Sequence, residues 1–168
     1  MHKYIMTTTI KQLSIFIENK SGTLIKVLDL FSKAKIQIIA STIADTQDYG
    51  IYRVLCSAPC EAFTILKENG INVQLTDVLA IAIENEPGKA AVAISALSAA
   101  GVNILYMYSF LWNGNGVLVM RTDKSEEAMQ VIAKENINLL SEDIELNNEE
   151  YIIQEYINGI NLSSSILA

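Results

Sequence analysis

Ile83-Glu84-Asn85-Glu86-Pro87-Gly88 decides the fold, because the chain carries this stretch twice. Its counterpart is Ile17-Glu18-Asn19-Lys20-Ser21-Gly22, 66 residues upstream (85 − 19). An alternating apolar run leads into each copy: Leu13, Ile15, Ile17 in the first and Leu79, Ile81, Ile83 in the second. A helical pattern follows each: Leu24, Val27, Leu28, Phe31, Ala34, then Ala90, Ala93, Ile94, Leu97, Ala100. Both sets fall at i, i+3, i+4, i+7 and i+10, so each copy reads as strand, tight glycine turn and amphipathic helix. The offset continues without a gap: Ile36 and Ile38 map to Val102 and Ile104, Gly50 to Gly116, Ala62 and Leu66 to Ala128 and Ile132, Ile71 to Ile137. One unit of about 66 residues occurs twice.

In the first unit, strands are expected at Lys11–Ile17, Ile36–Ala44, Tyr49–Cys56 and Asn72–Leu75, with a turn at Asp45–Asp48. Helices are expected at Ser21–Lys33 and Glu61–Glu68, the second closed by Asn69-Gly70. The second unit repeats this with strands at Asp77–Ile83, Val102–Leu111, Val117–Arg121 and Ile137–Leu140 and helices at Gly88–Ala100 and Lys124–Lys134. Asn113-Gly114 is a good hairpin turn. The order β-α-β-β-α-β is the split βαβ, or ferredoxin-like, unit. The fold class is therefore α+β, with repeats at 10–76 and 77–141 joined through Thr76-Asp77 and an acidic C-terminal tail at 142–168.

Composition limits the function. With 168 residues and 51% hydrophobic side chains the chain can bury two small cores. It has 12 basic and 19 acidic residues, and seven of the acidic ones follow Lys134 with no Lys or Arg among them. No basic stripe is present for a phosphate backbone, so nucleic-acid binding is not expected. No segment reaches the ~18 apolar residues of a membrane span, and the first residues lack the apolar core of a signal peptide. A cytoplasmic protein is expected. Cys56 and Cys60 read as two free thiols rather than a disulfide or a metal site.

Strand two of each unit, Ile36–Ala44 and Val102–Leu111, is apolar on both faces and lies at a sheet edge in this topology. Pairing the two edges gives one eight-stranded antiparallel sheet with all four helices on one face. The other face would then pack on a second chain, which makes a homodimer the expectation. In the tail, Asn147–Glu150 reads either as the cap of a short helix bearing Tyr151, Ile153 and Ile157, or as an extension without structure of its own.

Catalytic chemistry is not legible. The only histidine is His2, no glycine-rich phosphate loop precedes a helix, and no metal-ligand spacing occurs. No cofactor and no metal are expected. What remains is the pair of turns. A helix N-terminus presents unpaired N–H groups suited to a carboxylate, and Gly22 and Gly88 allow a ligand close to the backbone. Pro87 stands where its missing N–H costs nothing. Asn19 and Asn85 either hold a ligand with their amides or simply cap their helices.

A strand, then Asn-x-x-Gly, then an amphipathic helix in a β-α-β-β-α-β unit resembles the ACT domain, the amino-acid-sensing module of biosynthetic enzymes. Ile83–Gly88 with Gly101-Val102-Asn103-Ile104 is similar to the regulatory domain of phosphoglycerate dehydrogenase. There the loop asparagine and the asparagine opening strand two hold serine across a side-by-side domain pair. Asn85 and Asn103 match those positions, with Ile83 in place of that family's histidine; Asn19, Gln37 and Ile17 are the first-repeat equivalents. The resemblance implies a non-catalytic sensor or regulatory protein that binds a small amino acid between repeats. In that arrangement Asn19, Lys20, Ser21, Gly22, Thr23 and Leu24 look at Asn103, Leu105, Tyr106, Met107 and Tyr108. Asn85, Glu86, Pro87 and Gly88 look at Gln37 and Ile39. Leu13–Val27 also resembles the small subunit of acetolactate synthase, so a regulatory subunit of a biosynthetic enzyme is an alternative, and a structural dimerisation module with empty sites a third.

Overall fold

Each repeat folds as its periodicity dictates, in a computed structural model that describes residues 9–45 and 49–141. The tail, and with it the expected helix after Asn147, lies outside the described residues, as does most of the turn after Asp45. The elements are β1 (Ile10–Glu18), α1 (Thr23–Lys33), β2 (Ile38–Asp45), β3 (Tyr49–Cys56), α2 (Pro59–Glu68), β4 (Val73–Ile83), α3 (Lys89–Ala99), β5 (Ile104–Trp112), β6 (Asn115–Thr122), α4 (Ser125–Lys134) and β7 (Asn138–Leu139). The α+β class and the two β-α-β-β-α-β repeats are as expected.

The joining of the repeats is not. Val73 to Ile83 is one strand, so the described residues form seven strands instead of eight. Thr76-Asp77 contains neither Gly nor Pro, and nothing in it stops an extended chain. The first half of β4 pairs with β1 from Val73↔Ile15 to Val78↔Ile10, and the second half pairs with β6 from Leu79↔Met120 to Ile83↔Gly116. The strand order is β2-β3-β1-β4-β6-β5, with β7 also on β4. β2 and β5, expected to pair with each other, stand at opposite ends of this order.

Hydrogen-bond phase shows which edge each neighbour uses. Phe16 N–H donates to the Asn72 carbonyl, so alternate residues from Asn72 onward turn their peptide groups toward β1. Leu140 N–H donates to Ala80, which is in the same phase. β1 and β7 therefore lie on one edge of β4, and β6 on the other.

The sheet folds back on itself. The Arg53 guanidinium on β3 lies 4.0 Å from the ring centre of Tyr106 on β5. Four strand spacings separate these strands in the order, about 19 Å if the sheet were flat. The helix-free faces have therefore met, and a core made only from strands and their ends fills the gap: Leu55, Val78, Ala80, Val117 and Val119, flanked by Ile39, Tyr108, Phe110 and Trp112. The helices cover the outer faces. Leu13, Ile15, Val27, Phe31, Ala62 and Leu66 form the first outer core, and Leu79, Ile81, Ala93, Leu97, Met120 and Ile132 the second. The apolar sheet face expected to need a second chain is thus covered by the other repeat of the same chain, and the helices do not share one face.

Both cysteines are free. Cys56 is buried at the end of β3, and burial pushes its thiol up to about 11. Cys60 is exposed. Titration with Ellman's reagent at pH 8 should release one thiol per folded chain quickly and the second only on unfolding. Because the folded value is raised, this thiol's contribution to stability is complete below its unfolded value of about 8.5 and is lost as pH rises toward 11.

Candidate functional site

The two β-to-α loops keep the geometry their glycines demand. Gly22 (φ 87°) and Gly88 (φ 91°) precede α1 and α3 in the left-handed region, where a side chain is strained even though open space surrounds both. The backbone repeats bond for bond: Lys20 N–H to Glu18 O and Thr23 N–H to Lys20 O in the first loop, Glu86 N–H to Glu84 O and Lys89 N–H to Glu86 O in the second. Thr23 Oγ1 ties the first loop by donating to the Glu18 and Lys20 carbonyls at 2.7 and 2.8 Å. Lys89 ties the second through Glu84 and Glu86.

No side chain caps either helix. This corrects one of the two readings of the asparagines: Asn19 and Asn85 are exposed and make no cap, and the N-cap residue in each loop is glycine. The loops present uncapped helix N-termini, with Ser21, Gly22 and Glu86–Gly88 exposed and Thr23 and Leu24 half-buried. The Lys20 ammonium, by its hydrogen bond and then its charge, holds the exposed Glu18 carboxyl below the usual carboxylate range, and Glu18 raises Lys20 in return. Lys89 is likewise raised, first by its bond to Glu84.

The strand-two residues lie elsewhere. Along β5, Tyr106 and Tyr108 turn inward while Leu105 and Met107 are exposed. Gln12, with 0% exposure, sits between the two hydroxyls: its Nε2 donates to Tyr106 Oη at 2.7 Å, and Tyr108 Oη donates to its Oε1 at 2.8 Å. Burial, then the neighbouring Tyr106, pushes the Tyr108 phenol well up, so it stays a neutral donor. Six residues of β1 lie between Gln12 and Asn19, so seven steps of about 3.3 Å, about 23 Å of extended chain, separate them. Loop one and the two tyrosines are therefore not brought together inside one chain. Asn103 opens β5 with its N–H on Asp123 Oδ1, and Gln37 opens β2 with its N–H on Ser57 Oγ, again the same contact at the repeat offset. Ile39 packs in the inter-sheet core.

Sequence reading missed Gln12 and Arg53. The signal was present: Gln12 and Ser14 alternate with Leu13 and Ile15, and Tyr106, Tyr108, Phe110 and Trp112 alternate along β5. Such polar positions read as solvated unless a second sheet is known to cover them. Among the described residues no cluster of His, Cys, Asp and Glu is placed to hold a metal, and no helix is long and apolar enough to cross a membrane.

Two repeats of this topology, each with an uncapped glycine turn opening its first helix, define an ACT-type pair, and the chain belongs to the ACT domain pair family, which matches residues 8–148. Among solved structures it is similar to protein BT0572 from Bacteroides thetaiotaomicron, at 41% identity over 79% of this chain and 92% of that one, with a TM-score of 0.76. The ligand-free regulatory subunit of aspartate kinase from Thermus thermophilus shares the fold at 14% identity (75% and 91% covered, TM-score 0.53). The regulatory subunit of aspartate kinase from Thermus flavus shares it as well, at 15% identity (74% and 90% covered, TM-score 0.51). No curated protein matches the sequence.

Proposed function

We propose that this chain is a non-catalytic regulatory protein that binds a small amino acid at its helix-opening loops. The observation that carries this reading is the duplicated loop itself: a left-handed glycine, an uncapped helix N-terminus and an uncommitted asparagine at the same place in both repeats. The N-terminal N–H groups and dipole suit the ligand carboxylate, and the asparagine amide completes the cradle. The Asn85 loop is favoured over the Asn19 loop, since Tyr106 and Tyr108 are already engaged by Gln12. The regulatory role extends, in this reading, to an enzyme of amino-acid biosynthesis as partner, which co-purification with a tagged chain would test.

Calorimetry against the amino acids should find one that binds, and Asn85→Ala should weaken it by about one to two decades, the loss of a hydrogen bond to a charged group. Asn19→Ala should do the same only if the first loop is occupied. Neither should shift stability by more than about 0.5 kcal/mol, because neither side chain caps its helix. Unchanged affinity in both variants would end the site assignment.

A homodimer fits the same reading through a different surface from the one first expected. β5 is an edge strand with no charged residue or proline, and Leu105, Met107 and Leu111 are exposed along it. Ile83 pairs with Gly116 and Gly116 with Leu111, so the Asn85 loop lies at the far end of β5. An antiparallel β5 from a second copy would begin at that same end, bringing Asn103 of the partner subunit beside the Asn85 loop. Met107→Glu should then convert a dimer to a monomer by light scattering and weaken amino-acid binding together with it. A parent chain that is already monomeric at high concentration would remove this interface.

A further inference from the structure

β4 carries a second unpaired edge that the amino-acid reading does not use. Val73, Leu75 and Asp77 turn their peptide groups away from β1, and no strand pairs with that side among the described residues. β6 accompanies β4 only as far as Leu79↔Met120; beyond it, Arg121 to Asp123 stay with β5 and diverge from β4. The fork leaves a cleft of about 700 Å³. Val73–Asp77 and Phe63 form one wall, and Arg121, Thr122, Asp123 and Ser125 the other.

The shape and charge of the cleft restrict what can enter. The free edge is itself one wall of the cleft, and a single extended chain can lie along it and complete the ladder, flanked on its other side by Arg121 to Asp123. Of the charged groups lining it, Asp77 is bound to Lys11 at 2.7 Å, and Asp123 Oδ1 accepts the Asn103 N–H. Arg121 forms no ion pair with any described residue. Of these three side chains Arg121 alone is left without an ion-pair or hydrogen-bond partner among the described residues, and its fork of donors matches a carboxylate. The Thr122 hydroxyl beside it is buried and finds no hydrogen-bond partner among the described residues.

We propose that this cleft takes an extended acidic peptide segment of another protein as an added strand, its main chain bonded to Val73, Leu75 and Asp77 and a carboxylate set on Arg121. The regulated partner would then be held by a surface separate from the amino-acid loops.

The test uses the full chain and labelled hexapeptides of alternating Val and Thr with Glu, Gln or Lys at one central position, read by fluorescence anisotropy. The Glu peptide should bind best and the Lys peptide worst. Arg121→Gln should weaken the Glu peptide about tenfold and abolish the Glu-over-Gln preference. Methylating the alternate peptide nitrogens that face β4 should abolish binding, while methylating the other set should not. Arg121→Lys, which keeps the charge, covers the case in which Arg121→Gln fails to fold. No saturation by any peptide below about 1 mM, or binding indifferent to both N-methylation patterns, overturns the proposal. So does hydrogen exchange showing the Leu75 and Asp77 amides already protected in the free chain. Protection independent of protein concentration would mean the chain fills its own cleft, and concentration-dependent protection a second copy.

Discussion

Phe31→Ala should lower the stability of the chain by about 3–5 kcal/mol, measured by chemical denaturation. Phe31 is 1% exposed and is the largest of the fully buried side chains; it sits on the inner face of α1 among Leu13, Ile15, Val27, Tyr52 and Val54. Removing its ring forfeits the transfer term and leaves a void that two strands and two helices cannot easily close. Since a domain of this size has about 5–15 kcal/mol in total, the variant approaches the limit of folding. Ile25→Ala, on the exposed face of the same helix, is the control and should stay within about 0.5 kcal/mol. A loss below about 1 kcal/mol for Phe31 would mean that the first outer core is not packed as described.

The second large effect is at Gln12. Gln12→Ala removes the common partner of two hydroxyls, and leaving buried hydroxyls unpaired costs about 1–3 kcal/mol each, so a loss of about 2–4 kcal/mol is expected. Gln12 is on β1 and the tyrosines are on β5, so the loss reports on the contact between repeats. Tyr108→Phe alone should cost less, and the two changes together should cost less than their sum, because they delete one shared network. Strict additivity would show that Gln12 and Tyr108 do not meet. The phenol's raised pKa sets the sign with pH: the network is intact below the ordinary tyrosine value of about 10 and weakens as pH climbs beyond it.

Much of this was legible because duplication doubles every signal. The 66-residue offset located both loops, both pairs of helices and the left-handed glycines from residue identity alone. The joining of the repeats was not legible, for reasons that can be named. Ile36–Ala44 and Val102–Leu111 are apolar on both faces, and an edge-to-edge match looked like their natural cover. A strand is also apolar on both faces when a helix lies on one side and a second sheet on the other, and periodicity cannot separate these cases. Gln12 and Ser14 completed the disguise, since polar residues alternating with leucine and isoleucine suggest water rather than a second sheet. The asparagines were ambiguous for a different reason: Asn before a helix is a good cap by composition, and only the left-handed glycine next to the helix shows that the cap position is already taken.

β7 ends at Ala80 and β1 begins at Val78, on the same edge of β4 and running in the same direction. Leu140 and Ile10 are thus placed as successive parts of a single strand, separated by about two residues' rise, roughly 7 Å. That virtual strand is the counterpart of β4 itself: fourth strand of one repeat followed by first strand of the other. The described chain is in effect a ring of two identical arcs, cut once. Where the cut falls is arbitrary to the packing, so a permuted chain in which Leu140 leads through a short bridge into Ile10, and which opens at the exposed Asn113-Gly114 hairpin, would keep every layer and every pairing in place.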